Sequence, residues 1–291
     1  MKTPLTIKVI EYMDEMHRVE ELQRQVWQEP DMDIVPAHLL NSAVHNGGLV
    51  LGAYAEEILV GFVFGFAGFY STPDGPRLKH YSSMLGVRGE WQGQGIGFAL
   101  KRAQWQMVRH QGIDRITWTY DPLLSRNAWL NITRLGAVCN TYHRDFYGEM
   151  HDTLNQGLPT DRFDVDWWVN SHRVNRRLSR RRRNDLTLTH YLAGGSQMVN
   201  PAEMDERGVP HPSSFTGLPP GKEQSILLVE IPADFQAVKS ADIHLAMKWR
   251  LHTRNLFEDL FRVGYLVTDF VQSTNLPVRS YYVLIHGEST L

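Results

Sequence analysis

Apolar and polar positions alternate over Leu5 to Ile10, and apolar residues then recur at helical spacing at Met16, Val19, Leu22 and Val26. The chain therefore opens with a strand and a helix over 13–27. A second helix is predicted to begin at Pro36, to bury Leu39, Leu40, Ala43 and Val44, and to end at Gly47-Gly48. The β-rich runs 49–54 and 58–69, separated by Glu56-Glu57, predict an antiparallel hairpin, followed by a loop over 71–76 and a strand over 78–87. Gly93, Gly95 and Gly97 lead into a helix whose buried face would use Ile96, Leu100, Ala103 and Met107, and Gly112 stops it. A strand over 113–120 breaks at Asp121-Pro122. A helix capped by Ser125 runs to Arg134, and a strand follows over 137–142. Phe163, Val165, Trp167 and Val169 alternate with more polar positions, as in a strand with one buried face.

The pattern breaks at 173–184, where Arg176, Arg177 and Arg180 to Arg183 crowd together. This stretch is expected to be a basic linker between a domain of 1–172 and a second α/β domain of 185–291. In the second segment a loop rich in Pro and Gly over 200–222 precedes a strand at 226–231, a long helix within 240–263, and strands at 265–271 and 281–286. Its strand, helix, glycine, strand order echoes that of 85–120 and is a weak sign of a degenerate internal duplication.

Composition narrows the class. With 291 residues, 42% of them hydrophobic, the chain can bury a sizeable core. No apolar run approaches the roughly 20 residues of a membrane span, and the first residues lack the pattern of a secretory signal. The single Cys139 fits a reducing cytoplasm, and a net charge of −2 gives no global reason to expect nucleic acid or an anionic membrane.

The candidate chemistry lies in the segment Leu85 to Leu100. A strand delivers the chain to glycines that can adopt positive φ, and a helix starts at once, so unpaired N–H groups and the helix dipole converge where a phosphate can bind. A P-loop would need Lys and Ser or Thr after its glycine, where Ile96 and Phe98 stand. A dinucleotide fingerprint would need a glycine at Phe98. Gln92, Gly95 and Gly97 instead meet the pattern Gln or Arg, two residues, Gly, one residue, Gly or Ala, which resembles the CoA-binding motif of the GNAT superfamily of N-acyltransferases.

That resemblance covers a little over half the chain and implies a mixed, mostly antiparallel, splayed sheet flanked by helices, with a smaller C-terminal α/β domain. It implies that the backbone of Leu85, Gly86 and Val87 pairs with the pantetheine arm, that Gln92, Gly93, Gln94, Gly95, Ile96, Gly97 and Phe98 hold the pyrophosphate, and that Asn127 flanks the pantetheine. The family often carries a Glu or His where this chain has Tyr81 and Ser83. Neither is a ready base near neutral pH, so the two are expected to relay a proton through water. His80 is a better base but faces the other side of its strand. The family's Tyr general acid is replaced by Ile132, and Tyr120 and Tyr142 are candidates without spacing support.

The stretches 121–127, 135–138 and 147–162 look like a bacterial branch associated with N-succinylamino acid racemases, which implies acetyl-CoA or succinyl-CoA as donor and a small amine, an amino acid, as acceptor, with no metal. Arg144, Arg162, Arg250 and Arg254 are conceivable clamps for a carboxylate, and Trp167, Trp168 and Trp249 for an apolar wall. A CoA-binding regulator without turnover and a nucleic-acid-binding protein using the arginine run are the rival classes. A homodimer is compatible with the sequence.

Overall fold

The computed structural model describes residues 4–27, 34–150, 155–179, 185–213, 226–273 and 275–286. Among them, no helix is long and apolar enough to cross a membrane. The chain forms two compact units, Met1–Trp118 with Trp167–Ser171 and Thr119–Asp166 with His172–Leu291.

In the first unit, β1 (Leu5–Val9) pairs antiparallel with β2 (Leu49–Ala55), β2 with β3 (Ile58–Thr72) and β3 with β4 (Gly75–Val87). The parallel strand β5 (Arg115–Tyr120) joins β4. The expected mixed, mostly antiparallel sheet is thus present. Alternate residues of β2 and β3 face opposite ways. Val50, Tyr54, Leu59, Phe62 and Phe64 pack with α1 (Met13–Trp27) and α2 (Ala37–His45), whereas Leu49, Leu51, Ala53, Val60 and Val63 pack with α3 (Ile96–His110). Because both faces are covered, β2 is buried throughout and reads as a continuous apolar run. The predicted stripe of α1 is buried at Met16, Val19 and Leu22, and the Glu20 carboxylate accepts the Ala37 N–H at 2.8 Å, satisfying a first-turn donor of α2. That bond, with Arg24 beside it, holds the Glu20 carboxyl below its ordinary value.

The loop expected at 71–76 is shorter in the structure. The β3–β4 ladder continues through Ser71↔Pro76 and Thr72↔Gly75, with Gly75 at φ 107°, and leaves a two-residue turn. The end of this hairpin is largely exposed on both faces, so its polar, turn-like composition gives no strand signal. Closer to the core, Phe64 pairs with Met84 and Phe66 with Tyr81, so Ser82 and Ser83 together oppose Gly65. This bulge re-aims the strand. Before it, His80 and Ser82 bond to α3 side chains; after it, Leu85 and Val87 take up the packing against α3, while Met84 joins the α1 side. Gly65 is required there, because a Cβ would lie 2.3 Å from the His80 Nε2.

Under the bulge is a buried polar chain. Lys101 Nζ donates to Ser82 Oγ at 2.8 Å and to Gln104 Oε1 at 3.3 Å, and Gln104 Nε2 lies 3.2 Å from His80 Nε2. The predicted apolar face of α3 packs as expected, with Lys101 and Gln104 buried beside it. Burial pushes the Lys101 amine well below the ordinary lysine value; burial, and then the charge of Lys101, pull His80 down to about 3.

In the second unit, α4 (Ser125–Ala128) continues into a π-helical turn over Trp129–Arg134, where Leu135 N–H donates to the Leu130 carbonyl at 2.9 Å. The expected single α-helix is therefore two geometries. Ser125 does not cap it; its hydroxyl donates to the Pro232 carbonyl at 2.8 Å, and Leu124 holds the cap position. The strands β6 (Val138–His143) and β7 (Arg162–Trp168) pair antiparallel. The helices α5 (His172–Leu178) and α6 (Leu188–Ala193) follow. The short β8 (Gln197–Met198) pairs in parallel with β11 (Ile226–Ile231), and β9 (Glu203–Met204) with β10 (Pro210–His211) within the stretch expected to be a loop. The rest of that stretch, 214–222, lies outside the described residues.

The long helix expected within 240–263 is α7 (Phe235–Ala241) and α8 (Ile243–Arg262), parted at Asp242, whose carboxylate accepts from His244 and Leu245 N–H. β12 (Tyr265–Gln272) pairs with β6 and with β13 (Ser280–His286), and β13 with β11. β13 thus separates β11 from β12, whereas β4 and β5 are direct neighbours, so the two strand-helix-strand units share element order without strand adjacency.

Part of the expected basic linker is helix α5. Arg177 is buried and pairs with Asp269 at 2.7 Å, and Arg173 donates to the Gly136 and Thr268 carbonyls. Arg176 is exposed, and Arg180 to Arg183 lie outside the described residues. Asp121, expected only as a strand breaker, is buried. Its carboxylate accepts the Leu123 N–H at 2.9 Å and both terminal nitrogens of buried Arg250.

Two outcomes follow from these buried groups. Asp121→Ala strands the Arg250 guanidinium in the core and is expected to cost about 3–5 kcal/mol in urea denaturation. His80 is held neutral in the folded chain and takes up a proton below its ordinary value of 6.5 once unfolded, so stability is full above that pH and falls as pH drops from 6.5 toward about 3. Urea midpoints of the wild type should therefore fall more steeply than those of His80→Gln in that window and run parallel to them above about pH 7.

Candidate functional site

The candidate site grows from the way β4 is paired. β4 is laddered to β3 up to Val87↔Gly61, but to β5 only at His80↔Ile116 and Tyr81↔Thr117. From Ser82 onward, among the described residues, β4 has a strand partner on one edge alone. Leu85, Gly86 and Val87 lie on this singly paired stretch, so an extended ligand could add to the free edge as a strand does. Gly86 is fixed by packing as well, since a Cβ would lie 2.8 Å from the Phe62 ring.

Beyond Val87 the chain is pinned to β3: the Arg88 N–H donates to the Val60 carbonyl and its Nε to the Leu59 carbonyl, both at 3.0 Å. A 3-10 turn over Gly89–Trp91 follows. Gln92 Nε2 reaches back to the Val87 carbonyl at 3.1 Å and Gln94 Nε2 to the Glu90 carbonyl at 3.3 Å. Both glutamine side chains therefore brace the loop. Gly93 and Gly95 have φ of 78° and 84°, and Gly95 is the residue from which α3 starts. A Cβ at either glycine would meet nothing within 4 Å. Their constraint is thus the left-handed backbone itself and the open space in front of it, not contact with the rest of the protein.

Among the described residues, no acceptor takes the N–H groups of Gly93, Gln94, Gly95, Ile96 and Gly97. They gather at the positive end of a 15-residue helix. Donors in this arrangement suit the oxygens of a phosphate or pyrophosphate. The Ile96 side chain is buried against Leu100 and β3, which orients this first turn, and Phe98 stands on the same turn.

The structure distributes the other expected residues unevenly. Tyr81 and Ser83 are half-buried on β4, Ser83 within the bulge, and the Tyr81 ring lies 5.5 Å from that of Phe66. His80 is buried and faces α3, the opposite side, as the alternation predicts. Asn127 is half-buried on α4 of the second unit, and Ile132 is fully buried. The hydroxyl protons of the two other tyrosines are committed: Tyr142 donates to Asp161 at 2.7 Å, while Tyr120 lies 3.2 Å from the hydroxyl of Tyr282, which donates to the Pro122 carbonyl. Burial pushes both phenols well above their ordinary value.

The arginines considered as clamps are engaged inside the second unit, Arg250 with Asp121, Arg254 with Asp161, Arg144 with Glu258 and Arg162 with Asn155. Trp167 and Trp249 are core residues, and Trp168 packs edge-on to Tyr70. Sequence reasoning missed the buried Lys101 and Gln104, because α3 carries polar residues at several positions and nothing local separates these two from the rest.

Comparison with known proteins bears on residues 12–129, which match the model of the acetyltransferase (GNAT) family. No curated protein matches the sequence. Solved structures similar to the chain include an IAA acetyltransferase from Bacillus cereus, at 14% identity over 57% of this chain and 99% of that one, with a TM-score of 0.42. Arabidopsis thaliana NAA60 in complex with acetyl-CoA is 16% identical over 57% and 99%, with a TM-score of 0.44. An aminoglycoside acetyltransferase from an uncultured soil metagenomic sample, in complex with sisomicin, is 21% identical over 40% and 78%, with a TM-score of 0.36. The glycine turn, the singly paired β4 and the match to the acetyltransferase (GNAT) family model thus fall on one segment, residues 12–129.

Proposed function

We propose that the chain is an N-acyltransferase that moves an acetyl group from acetyl-CoA to the amine of a small molecule. The observation that carries this reading is the cluster of N–H groups at Gly93 to Gly97 that have no acceptor among the described residues, next to a β4 edge that no described strand pairs with from Ser82 to Val87. The residues present fit coenzyme A. The glycine turn would hold the pyrophosphate, and the backbone of Leu85, Gly86 and Val87 would pair with the amides of the pantetheine arm. Gln92 and Gln94 keep the turn in shape.

The bound thioester supplies an activated acyl group. A neutral amine would attack the thioester carbonyl carbon directly; the C–N bond forms, the C–S bond breaks, and the coenzyme A thiolate leaves and takes up a proton from water. Positioning and the amide near Val87, as a donor to the developing oxyanion, supply most of the acceleration. Tyr81 and Ser83 pass the amine proton to water, since neither holds a charge near neutral pH that would make it a direct base. An amino acid as acceptor and succinyl-CoA as alternative donor are the finer reading, supported by the likeness of 121–127, 135–138 and 147–162 to the succinylating branch.

Release of thiol from acetyl-CoA and succinyl-CoA, followed against a panel of D- and L-amino acids, tests the reaction. Turnover of acetyl-CoA with at least one amine is expected. Tight binding of coenzyme A with no release for any acceptor would instead identify a CoA-binding regulator. In a second test, Gly95→Val places a branched side chain into the open space before the turn and strains a φ of 84°. Calorimetric titration should show coenzyme A affinity falling at least about 100-fold, with a stability loss of only about 1–2 kcal/mol.

A further inference from the structure

Lys101 stands on α3 and is only 2% exposed, yet among the described residues no carboxylate bonds to it. An amine buried without a counter-charge is costly, and a methionine would fill nearly the same volume without that cost. Its surroundings give it a specific place. The nitrogen donates to Ser82 Oγ and lies 3.6 Å from the centroid of the Trp118 ring, over its face. Ser82 and Trp118 are the residues that immediately follow the last rung between β4 and β5, Tyr81↔Thr117. The amine therefore bridges the two strands at the point where they cease to pair, on the bulged part of β4. Gln104 takes a second of its protons and is itself tied to His80, so the bridge is braced from α3.

We propose that Lys101 is a positioning residue for acyl transfer. By tying Ser82 on one strand to the ring of Trp118 on the other, it sets how far β4 and β5 part and holds the bulge backbone against which the thioester would lie. This inference rests on the acyl-CoA reading. The amine forms no covalent bond in it, and its contribution is geometric: a small displacement of the reacting carbonyl is enough to lower the rate about 100-fold.

The test uses the full chain with acetyl-CoA and whichever amino acid gives the fastest thiol release. Lys101→Met keeps the volume and removes the donors; Ser82→Ala removes the partner on β4. For Lys101→Met, kcat is expected to fall about 10- to 100-fold, with the KM for acetyl-CoA within about threefold and the thermal midpoint unchanged or raised. Ser82→Ala is expected to lower kcat in the same direction, and the double variant to be no slower than Lys101→Met alone, because both changes break one bridge. A merely structural lysine would change the midpoint and leave the kcat of folded protein intact.

Wild-type kcat in folded Lys101→Met overturns the proposal, as do strictly additive effects. If Lys101→Met does not fold, full turnover by Ser82→Ala overturns it equally. A wild type that turns over acetyl-CoA beside equally active variants sinks this inference alone, whereas a wild type that neither binds nor uses acetyl-CoA sinks the acyl-CoA reading and this one with it.

Discussion

From Ser82 to Val87, strand β4 hydrogen-bonds along one edge to β3, while its ladder to β5 ends at Tyr81↔Thr117. A strand inside a sheet ordinarily satisfies its backbone on both sides, and groups left without a strand must find water or a ligand. The candidate site depends on that early end of pairing. The open edge points the chain toward the glycine turn, and the turn presents five further N–H groups without acceptors among the described residues. Both features use main-chain donors, which suits a ligand made of amides and phosphates.

The bulge of Ser82 and Ser83 opposite Gly65 makes this compatible with a packed core. It exchanges the faces of β4 partway along, so that His80 and Ser82 serve a buried polar chain and Leu85 and Val87 serve the apolar contact with α3. Gly65 gives the His80 ring the space it occupies. The polar chain is satisfied except at His80 Nδ1. It joins the helix that begins at the glycine turn to the strand that ends there, so the two walls of the candidate site are held by the same side chains.

The second unit is built differently. Its interior contains several carboxylate–guanidinium pairs, among them Asp121 with Arg250, Asp161 with Arg254 and Asp269 with Arg177. Such pairs fix geometry more than they add stability, because the desolvation of both charges offsets much of their attraction. They also explain why arginines that look available for a carboxylated substrate are not. Arg173 and Arg177, two of the three arginines of the basic segment among the described residues, likewise serve helix α5 and its neighbours rather than a solvated surface.

Local periodicity was enough to place most strands and helices of both units, because alternation at two residues and recurrence at three to four record which side of each element is buried. The glycine turn was legible for a similar reason: positive φ and a following helix are local properties, and Gly93 and Gly95 have them. Contacts between distant residues were not legible. Lys101 and Gln104 read as polar helix positions, and only their approach to Ser82 and His80 shows that they are buried. Ser125 reads as a cap, and its hydroxyl is drawn instead to Pro232, 107 residues away. The bulge, the π-helical turn and the end of the β4–β5 ladder depend on which strands and helices become neighbours. Sequence alone determined the elements and the donor-rich turn; the tertiary structure decided the partners of the buried polar groups, because those partners are brought together only when the chain has folded.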